Sequence, residues 1–385
     1  MTSGDFKALE FFAGIGLARL GLEDAGITVS WANDIEADKK SMYEGHFGAD
    51  PTDAHFHLGD LGNVHADQVP SGAAIAWASS PCTDLSLAGN RTGIHGKASG
   101  AFWEFTRVLG EFAPGDRPRV AVLENVVGLA TSHGGEDIAA AIREFNMLGY
   151  SADVLMIDAR RFVPQSRPRL FIVGTMDPPA EQQRSSELRP DWLQHVFGND
   201  DLRTHRAPLP DPPPPFTRGL STYVEDIDDD DPRWWDATRS SKFFSSMSPI
   251  QSGRVAALRE SATEHYRTAY RRTRDGVAMW EMRADEVSGC LRTARGGSSK
   301  QAVVKLGQER ARVRWMTPRE YANLMGAANY SLAGARNNQA LFGFGDAVAV
   351  PVVEWLAKNY LLPLLEGAFG ETAELSAIAG VEIGE

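Results

Sequence analysis

Leu9-Glu10-Phe11-Phe12-Ala13-Gly14-Ile15-Gly16 (residues 9–16) carries two glycines where an apolar run gives way to a helical pattern. Such a junction reads as the strand-to-helix turn of an open α/β sheet, where backbone can approach a ligand and a helix N-terminus can face it. Lys7 to Phe12 is then a strand and Leu17 to Ala25 the helix after it. Outward from this turn the alternation continues. Ile27 to Ala32 reads as a second strand, about Glu36 to His46 as a helix, and Ala73 to Ala78 and Val120 to Leu123 as buried strands. Asp137 to Leu148 is helical in pattern, and Ala152 to Ile157 and Leu170 to Gly174 look like late strands. This order predicts a doubly wound, Rossmann-like α/β sheet.

The turn also constrains the ligand. Arg19 stands where the dinucleotide fingerprint needs a third glycine, which argues against a pyrophosphate cofactor. Asp34 lies at the end of the second strand, where a carboxylate can accept from ribose hydroxyls, and Gly59-Asp60-Leu61 supplies another acid suited to an adenine amino group. Two acids without a phosphate cradle suggest an adenosine ligand whose other end is cationic or neutral. Taken singly, Asp34 and Asp60 could each merely cap a helix or turn.

Ser79-Ser80-Pro81-Cys82-Thr83-Asp84-Leu85-Ser86 puts one of only two cysteines in a proline-fixed turn after a buried strand. A thiol at the C-terminal lip of a parallel strand is placed for nucleophilic chemistry, although a lone cysteine can equally plug a core. Leu123-Glu124-Asn125-Val126 sets a carboxylate at the end of another strand, so both groups can converge on one small ring. Gln165-Ser166-Arg167-Pro168-Arg169 precedes the strand from Leu170, and its basic residues can reach the same cleft or a nucleic-acid backbone. The other cysteine, Cys290, reads as structural.

With 385 residues, 43% hydrophobic and 23% charged, the chain has the composition of an ordinary globular protein of about two domains. Two cysteines give no disulfide framework and no four-thiolate site, so a reducing, cytoplasmic location is expected, with no metal. No apolar run reads as membrane-spanning, and the start of the chain has no signal-peptide pattern. The net charge of −12 argues at first against nucleic acid, but the stretch from His265 to Arg319 holds thirteen arginines and lysines against five acids. With glycine and threonine interleaved, that basic window fits a phosphate-contacting surface, or else a solvated face. Ahead of it lie six prolines between Pro208 and Pro215, expected to be extended, and an acidic run from Glu225 to Asp231, expected to be a solvated turn or boundary. Helical patterning returns near Thr317 to Met325 and Val348 to Leu361, and the tail from Glu366 reads as loosely held.

In order along the chain, these pieces resemble the motifs of the DNA cytosine-5 methyltransferases. The blocks are Phe11-Phe12-Ala13-Gly14-Ile15-Gly16, Asn33-Asp34, Gly59-Asp60-Leu61, Ser80-Pro81-Cys82, Glu124-Asn125-Val126, Gln165-Ser166-Arg167-Pro168-Arg169, Thr317-Pro318-Arg319-Glu320 and Gly343-Phe344-Gly345-Asp346-Ala347-Val348. The resemblance implies a catalytic domain over 1–177, an inserted target-recognition domain over 178–311, and a C-terminal segment, 312–385, that returns to the first domain. It implies S-adenosyl-L-methionine as cofactor, held by Phe12, Gly14, Gly16, Asp34, Ile35, Asp60, Leu61, Asp346 and Ala347. It makes Cys82 the nucleophile on cytosine C6 and Glu124 the group that hydrogen-bonds cytosine N3. Asn125 would hold the loop, while Arg167 and Arg169 would contact the cytosine carbonyl or phosphate. Double-stranded DNA is the implied partner of a monomer, with cognate restriction or defence proteins compatible.

Four positions depart from the family pattern: Thr83 after the cysteine, Ser80 before it, Trp315 beside Arg314, and Asp346 where the family has asparagine. An extra carboxylate at Asp346 is expected to favour the cofactor's ammonium group. The rival readings are a tRNA-methylating relative, an inactive DNA-binding relative and, more distantly, an NAD-dependent oxidoreductase. Arg292, Thr293, Arg295, Ser298 and Ser299 are candidate base or phosphate contacts.

Overall fold

The alternation in the first half of the chain sorts side chains into two cores. On successive strand residues Ala8, Ile75, Trp77, Val120 and Val122 bury into one cluster, and Leu9, Ala76, Ala78, Ala121 and Leu123 into the other. Period-two alternation with both faces apolar requires cover on both sides of a sheet. The structure, a computed structural model, describes residues 5–52, 54–81, 100–183, 185–274, 276–292 and 300–369. Cys82, Thr83, Thr293, Arg295, Ser298, Ser299 and most of the tail lie outside the described residues.

The first half runs β1 (Lys7–Phe11), α1 (Leu17–Asp24), β2 (Thr28–Asp34), α2 (Ala37–Phe47), β3 (Phe56–Leu58), β4 (Ile75–Ser79), α3 (Gly100–Glu111) and β5 (Val120–Val126). It continues through α4 (Gly128–Thr131), α5 (Glu136–Met147), β6 (Ser151–Asp158) and β7 (Pro168–Thr175). The seven strands lie in the order β3-β2-β1-β4-β5-β7-β6. The pairings among β1 to β5 are parallel, whereas β7 runs antiparallel to both β5 and β6. The doubly wound α/β sheet is therefore present, with one reversed strand that the sequence pattern does not reveal. Reversal brings the start of β7 to the edge where β5 ends, so Arg169 stands opposite Val126. The sheet also extends β5 past Leu123, placing Glu124 and Asn125 inside the strand.

A short helix α6 (Gln194–Phe197) follows. Residues 178–227, read from sequence as part of the inserted unit, pack largely on the two cores of the large sheet. Leu188, Ala207, Leu209, Leu220 and Val224 join the first, and Leu193, Val196 and Leu202 the second. A buried ion pair fixes this stretch: Arg189 donates to both oxygens of Asp153 on β6, at 2.8 and 2.5 Å. Tyr360 donates to the same carboxylate at 3.0 Å, and its oxygen is 2.8 Å from His205 Nε2. The prolines 208–215 carry no helix or strand.

The second sheet is smaller. After α7 (Ala237–Ser245) and α8 (Pro249–Arg259), strands β8 (His265–Arg274), β9 (Val277–Met282), β10 (Ala302–Gly307) and β11 (Arg310–Trp315) pair antiparallel in the order β11-β10-β8-β9. Its core gathers Phe243, Met247, Ala269, Met282, Val304 and Val313, with Trp235, Trp280 and Trp315 around them. Trp315, a departure from the family pattern, therefore serves this aromatic cluster; its ring lies edge-on to Trp235 at 5.0 Å.

The chain then returns to the large sheet through α9 (Pro318–Leu324), α10 (Asn337–Asp346), α11 (Val350–Leu356), a π-turn at Ala357–Leu361 and α12 (Leu362–Glu366). Thr317 and Glu320 form a capping box at the start of α9. Glu320 is also fully buried against Arg314 at 2.5 Å, which ties the end of the small sheet to the returning helices. Helix α11 crosses α1 at Gly21, where a Cβ would stand 2.6 Å from Val350 O and from Val353 Cβ. Contrary to the sequence reading, the helical stretch Asn337–Glu366 is long and apolar enough to cross a membrane by length and composition. Two thirds of its most apolar part is buried inside the protein, as a core helix would be.

Candidate active site

The C-terminal edge of the large sheet collects the candidate residues. Beyond β1 the chain turns through Phe12, Gly14 and Gly16, all with positive φ, and Gly16 has no room for a side chain because Tyr43 and Phe47 press against it. Asp34, at the end of β2, accepts from Gly14 N–H through Oδ2 and from Glu36 N–H through Oδ1, both at 2.9 Å. Asp34 thus holds the turn, as its capping reading expected, while each oxygen keeps a second lone pair for another donor. Asn33 donates to the carbonyls of His57 and Gly59 at 3.0 Å, locking β2 to the β3 turn. There the Asp60 side chain accepts from Gly62 N–H at 2.9 Å and is exposed. Leu61 is buried beneath it.

An adenosyl group fits this arrangement. A Cβ built on Gly14 would meet no atom within 4 Å, so the turn is open where a ligand would lie against backbone. Ile35, directly after Asp34, is 63% exposed and offers an apolar side chain at this edge. Asp346 and Ala347 reach the same edge from α10. Lys39 on α2 lies 3.3 Å from Asp346, 3.4 Å from Glu36 and 4.0 Å from Asp34. Sequence reasoning missed Lys39, because only the fold brings α2 beside the end of α10.

Behind the turn Glu10 is almost wholly buried; Oε1 accepts from Arg19 N–H at 3.2 Å, and Oε2 has no hydrogen-bond partner. Burial pushes its carboxyl up to about 8, against the pull of Arg19.

The second half of the site lies on β4 and β5. Ser79 pairs with Glu124 in register, and Cys82 follows Ser79 by three residues in the sequence. Asn125 donates to Ser80 Oγ at 3.1 Å and to Ser80 O at 3.4 Å. This amide pins the turn that leads to Cys82, and it gives the unusual Ser80 hydroxyl a partner. Arg169 Nε lies 2.9 Å from Glu124 Oε1. The neighbouring arginine is placed differently from the sequence reading. Arg167 is 1% exposed and donates to Leu291 O, Gly345 O and Ala347 O at 2.8, 3.0 and 2.6 Å. It ties the start of β7 to Leu291 and to the end of α10, and Arg169 is the residue that meets Glu124.

Cys290 also belongs to this neighbourhood. Its Sγ lies 3.4 Å from Arg167 Nη1, and although burial raises its pKa, Arg167, Arg169 and Arg292 together bring the thiol below its ordinary value. Among the described residues, no group of three or more His, Cys, Asp or Glu is placed to hold a metal ion.

The basic window is less available than its composition implied. Arg267, Arg272, Arg283, Lys305, Arg310, Arg312 and Arg314 are ion-paired within the protein, to Glu286, Glu281, Asp285, Glu264, Asp229 (twice) and Glu320. The acidic run is an exposed turn, as expected, and within it Asp229 also bridges Arg310 and Arg312 on β11 while Asp231 pairs with Arg233. Arg271 and Arg292 remain exposed.

An open, mostly parallel α/β sheet with candidate residues gathered at one edge, joined to a smaller antiparallel sheet, is the architecture of an α/β enzyme that carries an added β-rich unit. The chain belongs to the C-5 cytosine-specific DNA methylase family, whose pattern matches residues 6–361. It is 30% identical over 199 residues to the Type II methyltransferase M.HaeII of Haemophilus aegyptius, covering 51% of this chain and 59% of that protein. It is 24% identical over 359 residues to the Type II methyltransferase M.Bsp6I of Bacillus sp. (strain RFL6), covering 92% of this chain and 98% of the relative. With several of the curated relatives, such as M.DsaV of Dactylococcopsis salina at 48%, the chain spans about half of the relative's length. Among solved structures, the S. pombe Dnmt2 methyltransferase shares the fold with a TM-score of 0.59 at 17% identity, over 94% of this chain and 99% of that one.

Proposed function

We propose that this protein transfers a methyl group from S-adenosylmethionine to C5 of a cytosine flipped out of duplex DNA, through a covalent adduct with Cys82. The observation that carries the reading is the Glu124–Arg169 pair at the end of β5, in register with the strand that leads to Cys82.

Cytosine C5 is a weak nucleophile. Addition of the Cys82 thiolate to C6 breaks the C5–C6 double bond and pushes electrons toward C5 and N3, leaving an enamine that can attack a methyl group. S-adenosylmethionine, when bound, supplies that methyl as an electrophile. Glu124 hydrogen-bonds N3 as charge builds there, and Arg169 holds the Glu124 carboxyl in place. Asn125 keeps the Cys82 turn at a fixed distance from β5 through Ser80. Arg167 carries no chemistry; its three carbonyl bonds hold Leu291 and the Gly345–Ala347 corner against the start of β7. Loss of the C5 proton and expulsion of the Cys82 thiolate then restore the aromatic ring. Phe12, Gly14, Asp34, Ile35 and Asp60 bind the cofactor's adenosine end. A stacked base cannot reach these groups, so flipping costs about a few kcal/mol, which contacts from the smaller lobe must offset.

The Type II relatives support a recognition sequence and a cognate restriction partner. Bisulfite sequencing of DNA from cells that express the chain tests the reading. It predicts protected cytosines within one short motif, absent with Cys82→Ser. Methylation of tRNA with none on DNA would overturn it.

A further inference from the structure

Two charges at the cofactor edge sit where their own helices disfavour them. Lys39 is the third residue of α2, in the turn where the helix dipole repels a cation, and Asp346 is the last residue of α10, where the dipole repels an anion. Their side chains meet at 3.3 Å, and the Lys39 side chain is only 16% exposed. Burial alone would draw the Lys39 ammonium down, yet Asp34, Asp346 and Glu36 around it hold it above its ordinary value. Each charge therefore offsets the unfavourable end of the other's helix. The Lys39 ammonium also lies 4.0 Å from Asp34, the acid that fixes the Gly14 turn.

We propose that Lys39 and Asp346 form a charge-matched clasp at the cofactor edge, which sets how strongly the pocket distinguishes the cationic methyl donor from its neutral product. The inference rests on the S-adenosylmethionine reading. The donor carries one more positive charge than S-adenosylhomocysteine, on sulfur. A pocket with one carboxylate too many would favour the donor, and one with a lysine too many would favour the product. Lys39 brings the count of acids at this edge back toward balance, which makes it a positioning and specificity residue rather than a catalytic one. It also gives the Asp346 departure a physical partner, the Lys39 ammonium at 3.3 Å.

The test is calorimetric binding of S-adenosylmethionine and S-adenosylhomocysteine to the full chain and to Lys39→Met, Asp346→Asn and the double variant. The readout is the product Kd divided by the donor Kd. Lys39→Met should raise that ratio roughly fivefold, Asp346→Asn should lower it by a similar factor, and the double variant should return it to within twofold of the original. A purely structural role would weaken both ligands equally and leave the ratio fixed. A ratio constant within twofold across the variants overturns the clasp, and either single variant suffices if the other fails to fold. If the unaltered protein binds neither ligand, the cofactor reading itself fails and takes the clasp with it.

Discussion

Replacing Glu10 by glutamine should change how stability depends on pH, and the direction follows from burial. The Glu10 carboxyl is 1% exposed on β1, one oxygen accepts from Arg19 N–H, and the other has no partner. Desolvation raises its pKa from 4.5 to about 8, despite the opposing pull of Arg19. A native state that keeps a proton the unfolded chain has lost is destabilised as pH rises. The contribution is therefore fully present below about 4.5 and is lost progressively as pH climbs through about 8. The difference between those two values caps the loss at roughly 4 kcal/mol between pH 5 and 9. Glutamine keeps the shape and the acceptor to Arg19 but cannot ionise. Urea unfolding of both proteins at intervals from pH 5 to 9 should show the variant gaining on the parent steadily toward the alkaline end. Parallel curves would refute the reasoning and would mean that Glu10 reaches water or a cation when it ionises.

Other consequences can be checked with single substitutions. His205, buried beside Ser151 and Tyr360, is pushed down to about 4 by burial, so it stays neutral while the unfolded chain protonates near 6.5. Stability should fall as pH drops from 6.5 toward 4, and His205→Gln should flatten that acid limb in denaturation curves. Gly21→Ala would drive a methyl into Val350 O and Val353 at the α1–α11 crossing, costing about 1–3 kcal/mol in chemical denaturation. Arg169→Met removes the cation from Glu124 and should cut methyl transfer to DNA by on the order of 100-fold, with cofactor affinity by calorimetry within twofold.

What the sequence made legible was what neighbouring residues determine together. The strand–turn–helix at residues 9–16, the two-sided burial of β4 and β5, and the helix near Thr317 to Met325 all follow from local pattern. Less legible were relations between segments far apart in the chain. No periodicity tells that β7 runs backwards, yet that reversal is what brings Arg169 rather than Arg167 to Glu124. The stretch 178–227 looked like part of an insert because it is proline-rich and polar, but its scattered Leu188, Leu209 and Leu220 find cover on the large sheet. The basic window read as a nucleic-acid surface because composition counts charges and not partners, and the partners Asp229, Glu264 and Glu320 lie outside it. Lys39 carried no signal at all until α10 was seen to end beside it.

Under the proposed mechanism the nucleophile is Cys82 and not Cys290. Incubation of the protein with S-adenosylmethionine and duplex DNA in which the target cytosines are 5-fluorocytosine blocks the final proton loss and should trap the adduct. The expected result is a protein–DNA band stable to a denaturing gel, lost in Cys82→Ser and retained in Cys290→Ser. A band that survives Cys82→Ser and vanishes in Cys290→Ser, or none with any DNA, would contradict it.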